Sequence, residues 1–147
     1  MKNIGVCFLL LAILLSCQKE EIADADEFPQ TWQLVRSTGQ IPNSVSTGAD
    51  LPWQETYVFS ADSTFTKMRQ QGDQVTQASG TFALQEFSDG QYVVLTFDAA
   101  SSIIGSCTTM ERKETLMVKA DDTLASTWLA CDGPGLEYKK VKQDQSK

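Results

Sequence analysis

Between Gln30 and Val141 the chain alternates apolar and polar residues with a period of two, and turn chemistry interrupts the alternation at nearly regular intervals. Trp32 and Leu34 fall on one face of the first segment, and Tyr57 and Phe59 on one face of the second. Thr64–Gln70 and Val75–Leu84 follow, the latter with Phe82 and Leu84 on one side. Gln91–Phe97 presents Val93, Leu95 and Phe97; Met110–Lys119 presents Leu116 and Val118; Thr123–Cys131 presents Leu124 and Trp128; and Leu136–Lys142 presents Tyr138. Helical spacing is not sustained anywhere in this region. Between the segments stand Ser60-Ala61-Asp62-Ser63, Gln71-Gly72-Asp73-Gln74, Ser88-Asp89-Gly90, Ala120-Asp121-Asp122 and Asp132-Gly133-Pro134-Gly135. Glycine tolerates positive φ and aspartate bonds its own backbone, so these are turns. Eight short strands in succession, joined mostly by local links, predict an all-β, eight-stranded antiparallel up-and-down barrel. Closure removes the two bare edges that an open sheet would leave.

The same residues, in order, resemble the small lipocalin-like lipoproteins of Bacteroidetes: Trp32-Gln33-Leu34-Val35, Thr56-Tyr57-Val58-Phe59-Ser60-Ala61-Asp62-Ser63-Thr64-Phe65, Ser79-Gly80-Thr81-Phe82-Ala83-Leu84, Asp122-Thr123-Leu124, Cys131-Asp132-Gly133 and Tyr138-Lys139-Lys140-Val141. Gln30-Thr31-Trp32 keeps the tryptophan of the lipocalin Gly-x-Trp start without its glycine. The resemblance implies a lipocalin-like barrel more than any particular ligand.

The start of the chain reads as an address. Met1-Lys2-Asn3 is positive, and Ile4–Leu15 is almost continuously apolar. A bilayer-spanning helix needs about 20 apolar residues, so this run fits the core of a signal peptide. Leu14-Leu15-Ser16-Cys17 resembles the bacterial lipobox, which implies cleavage before Cys17 and its acylation with palmitate-type chains. Each buried methylene then contributes about 0.8 kcal/mol of membrane attachment. Gln18-Lys19-Glu20-Glu21 resembles the export string of Bacteroidetes surface lipoproteins, which implies an outer membrane location facing the medium; a solvated linker is the alternative. The expected organisation is a signal peptide over 1–16, a lipidated cysteine and acidic tether over 17–29, the barrel over 30–142 and a disordered tail over 143–147.

Cys7 leaves with the signal peptide and Cys17 carries lipid, so Cys107 and Cys131 remain as an even pair in an oxidising compartment. A Cys107–Cys131 disulfide is expected. In an up-and-down barrel alternate links share an end. The short links at Ala61–Ser63, Gln85–Gly90 and Ala120–Asp122 share one end with the tether. The long segments Thr38–Gln54 and Asp98–Thr109, with both cysteines, lie at the other and would face away from the membrane.

That distal mouth carries Ile41, Leu51, Trp53, Ile103 and Ile104. An eight-stranded barrel is only just wide enough for its own side chains or one small ligand. Two readings follow. In one, Trp53, Ile103, Ile104, Tyr57, Phe59 and Trp128 line a cavity for a small apolar or amphipathic ligand. In the other, the loops fold back to plug a filled barrel, and the distal surface binds a protein as an accessory or inhibitor module.

The formal charge of −7 argues against nucleic acid, which needs clustered Lys and Arg. The chain has no histidine, which removes Ser-His-Asp and Cys-His nucleophiles and the common zinc hydrolase sites. Asp121-Asp122 and Asp24-Ala25-Asp26 lack the ligand spacing of a calcium loop. No metal, cofactor or catalytic constellation is expected. Glu111-Arg112-Lys113-Glu114 mixes signs and is expected on the solvent face of a strand.

Overall fold

The computed structural model describes residues 28–108 and 111–142. Nine strands form one antiparallel sheet: β1 (Gln30–Thr38), β2 (Val45–Thr47), β3 (Gln54–Phe59), β4 (Thr64–Gln71), β5 (Gln74–Phe87), β6 (Gly90–Phe97), β7 (Lys113–Lys119), β8 (Thr123–Ser126) and β9 (Gly135–Lys140). β2 is a three-residue flap on the distal half of β1, pairing Arg36–Thr38. The other eight strands each pair with the next in sequence, and β1 also pairs β9 from Trp32↔Lys140 to Thr38↔Gly135, which closes the barrel. The expected eight-stranded up-and-down barrel is therefore the architecture present.

Alternation decides what faces inward. Trp32 and Leu34 point in from β1, and a bulge between Leu34 and Arg36 then shifts the register against β9, so that Ser37 becomes the next buried residue. Tyr57, Phe59, Phe65, Val93, Leu95, Phe97, Leu116, Leu124, Leu136 and Tyr138 complete the core. Its aromatic rings meet edge to face: Phe59 and Phe82 at 4.8 Å, Phe65 and Phe97 at 4.9 Å, and Tyr57 and Tyr138 at 5.0 Å between centroids. At Gly80 the 14-residue β5 passes from pairing with β4 to pairing with β6. A Cβ there would lie 2.0 Å from the Thr96 carbonyl oxygen, so only glycine permits this corner.

The tether-end turns follow their residues. Asp62 Oδ1 accepts from the Thr64 backbone N–H at 3.1 Å and from its hydroxyl at 2.6 Å, and Ser63 takes a positive φ of 64° between them. Several boundaries differ from the sequence expectation. β5 runs on to Phe87 rather than ending at Leu84, because Gln85, Glu86 and Phe87 keep pairing with β6 and leave only Ser88 and Asp89 to turn. The strand expected from Met110 begins at Lys113. Thr123–Cys131 is not one strand: β8 stops at Ser126, and Trp128–Cys131 coil into a 3-10 turn that Asp132 ends in the left-handed region at φ 67°. Thr38–Gln54 is not structureless, since it holds β2 and a 3-10 turn at Gly48–Asp50.

Candidate functional site

The interior of the barrel at its loop end is charged. Glu55 on β3, Lys67 and Arg69 on β4, and Glu114 on β7 alternate in phase with their strands' aromatic and aliphatic core residues, so all of them face inward. The side chains of Glu55, Lys67 and Glu114 are fully shielded from solvent. Glu114 is not on the solvent face expected for it. Its neighbour two residues on, Leu116, is core, and the pleat puts both on the same side.

Lys67 Nζ lies between the two carboxylates, 3.1 and 2.9 Å from the two oxygens of Glu114 and 3.2 Å from Glu55 Oε1. It also sits over the Tyr57 ring, 5.0 Å from its centroid. The Tyr57 hydroxyl donates to Glu114 Oε1 at 2.7 Å, and the Tyr138 hydroxyl donates to Glu55 Oε1 at 2.6 Å. Arg69 Nε donates to Glu55 Oε2. Two carboxylates thus meet two cations, and the network carries no net charge. Such a cluster survives burial only because each member is paired; removal of one partner strands a charge in a dry interior at a cost of about 3–5 kcal/mol. Burial, with the negative field of Glu114 and Glu55, pushes the Tyr57 and Tyr138 phenols well above their ordinary value of 10.0.

The mouth above this network is plugged. Ile103 from the 98–112 loop is 3% exposed and Ile104 is half-buried against the core. Gly105 rests on the network itself: a Cβ there would lie 3.1 Å from Glu114 Oε1 and 3.0 Å from Trp128 Cε3. Trp128 presses on Gly133 in turn, where a Cβ would come within 2.3 Å of the indole. The Cys107–Cys131 disulfide, with Cα atoms 5.5 Å apart, clasps the loop to the 3-10 turn that carries Trp128. On the opposite side Trp53 covers Arg69, whose guanidinium carbon is 4.3 Å from the ring centroid.

The structure brings Trp53, Ile103, Ile104, Tyr57, Phe59 and Trp128 together, but as packing. The first three and Trp128 close the mouth, and Tyr57 and Phe59 fill the interior. Two open grooves lie outside the interior network. One of about 390 Å³ runs between β1 and the Gly48–Leu51 segment, and one of about 220 Å³ is lined by Leu51, Pro52, Trp53, Gln54, Gln70 and Gly72. Arg69 Nη2 and Trp53 Nε1 are buried donors without an acceptor among the described residues. Cys17 and Gln18-Lys19-Glu20-Glu21 lie outside the described residues.

Sequence reasoning missed Glu55, Lys67, Arg69 and Glu114. Strand parity was the available signal, since each stands two residues from a core aromatic or aliphatic residue, or four in the case of Arg69. Comparison with family models, curated proteins and solved structures finds no match to this chain.

Proposed function

We propose that the protein is a lipid-anchored, cell-surface lipoprotein of the lipocalin-like kind, whose filled barrel acts as a rigid post presenting its distal rim to a protein partner. One observation carries this reading: the volume a ligand would occupy is taken by Glu55, Lys67, Glu114 and their tyrosines, and the plug above them is clasped by a disulfide. The rim offers exposed apolar side chains at Ile41, Val45 and Leu129. They gather on one side, because Val45 pairs Thr38, Thr38 pairs Gly135, and Leu129 packs at Gly135. Exposed Asp50, Asp73, Asp98, Glu111 and Asp132 outnumber Arg36, Arg112 and Lys113 around that end. The complementary partner has an apolar centre and a basic rim.

A second reading rests on the smaller groove, lined in part by Trp53, whose indole N–H has no acceptor among the described residues. It suits an amphipathic ligand seated at the mouth, with an acceptor for that N–H, rather than inside the barrel.

The two readings separate in one set of measurements. A photo-crosslinking residue at Ile41 on intact cells should join a single basic partner, and Leu129→Asp and Val45→Asp should abolish the adduct. Fatty acids and isoprenoid acids should leave the melt unmoved. A ligand at a hundred times its dissociation constant adds about 2.7 kcal/mol, so a melt that rises by that amount moves the function to the groove. The anchor is tested by acyl labelling of Cys17→Ala, which should take up no label. Export is tested by protease treatment of cells in which Lys19, Glu20 and Glu21 are alanine, which should spare the protein.

A further inference from the structure

A buried lysine held between two carboxylates, each contacted by a phenol, contains every part needed to form an amide. Near-attack geometry asks for about 3–3.5 Å between reacting atoms. Lys67 Nζ lies 3.1 and 2.9 Å from the two oxygens of Glu114, so the carboxyl carbon bonded to both lies no farther than about 3.5 Å from the amine. We propose that Lys67 and Glu114 condense into an intramolecular isopeptide bond, with Glu55 as the proton carrier and Tyr57 as the donor to the developing oxyanion.

The choice of Glu114 over Glu55 follows from their partners. Both oxygens of Glu114 face the amine, and its Oε1 accepts from the Tyr57 hydroxyl at 2.7 Å, where negative charge gathers as the tetrahedral carbon forms. Glu55 turns only Oε1 to the amine, at 3.2 Å, and that oxygen also accepts from the Tyr138 hydroxyl at 2.6 Å, while Arg69 holds its far oxygen.

The step balances without a co-reactant. One proton passes from the Lys67 ammonium to the Glu114 carboxylate. The transfer leaves the net charge of the cluster unchanged. The amine lone pair then forms the N–C bond to Glu114 Cδ. Glu55 takes a proton from the attacking nitrogen and delivers it to the leaving hydroxyl, the C–O bond breaks, and one water departs. Glu55 ends the step as the carboxylate it began as, paired again with Arg69. The product links β4 to β7, strands separated by β5 and β6 in the sheet, and so ties the barrel wall across its interior.

Trypsin reads the bond directly in the purified protein after reduction. The cross-link protects the Lys67 site, so residues 37–69 should appear joined to residues 114–119, lighter by one water than the two peptides together. Cleavage after Lys67 with the 114–119 peptide free and at full mass overturns the proposal. In Glu55→Gln, and in Tyr57→Phe, which keeps the ring, protein that still gives a cooperative melt should yield mostly separate peptides. Undiminished cross-linking in both variants overturns the assigned roles.

Discussion

Replacing both Cys107 and Cys131 by serine removes the clasp between the plug loop and the Trp128 turn while leaving the strands intact. The bridge spans 24 positions of sequence. In the chain-entropy model a loop of that length restricts the unfolded chain by about 3.5 kcal/mol. Unfolding a body of about 110 residues carries an entropy of about 0.23 kcal/mol per kelvin, so the double variant should melt about 15 °C below the wild type. The assay is a reversible thermal melt followed by far-ultraviolet circular dichroism, with tryptophan emission as a second probe. Hydrogen exchange should rise first at 101–108 and 128–133, where Gly105, Trp128 and Gly133 stack. A drop of less than about 4 °C, equivalent to about 1 kcal/mol, would refute the reasoning. Packing of Ile103 and Trp128 would then hold the plug without the disulfide.

Gly80→Ala should destabilise the barrel more than a typical core overpacking change of about 1–3 kcal/mol, because the added carbon meets the fixed Thr96 carbonyl rather than a movable side chain; a soluble variant with an unchanged urea midpoint would contradict this. In an alkaline spectrophotometric titration Tyr92, beside the tether-end turn and donating to Asp89, should ionise before Tyr57 and Tyr138. The two buried phenols keep their protons in the folded state while the unfolded chain loses them. Their contribution to stability is therefore full below about pH 10 and falls as pH climbs past it; a melting temperature that rises there would reverse the sign.

The fold was largely legible because period-two alternation and turn residues are local signals. Trp32, Tyr57, Phe59, Val93, Leu95 and Phe97 each take the face that alternation assigns. The disulfide followed from counting cysteines, and both lie at the end where the long loops gather. The charged interior was harder to read. Glu55, Lys67 and Glu114 look like surface residues by type, and burial of each is tolerable only because the others, distant in sequence, converge on it. Parity placed them inside, but residue chemistry argued for solvent, and only three-dimensional pairing decides between the two. Trp128 was misplaced on a strand for a related reason. Its seat depends on Gly105 and Gly133, which give way to the indole from two different loops.

The seam between β1 and β9 has a consequence for how the chain reaches this state. Every other neighbouring pair of the closed barrel is adjacent in sequence, and such hairpins form in about 1–10 μs. The seam joins residues about a hundred positions apart, and the entropy of closing so large a loop must be met before any of its hydrogen bonds form. Assembly is therefore a fast zipping of a curled ribbon followed by one slow closure. Until that closure β1 and β9 each expose a bare edge. The chain is most prone to pair with a second copy of itself in that interval, and because β9 is the last of the described strands to be synthesised, the interval lasts at least until translation has passed it.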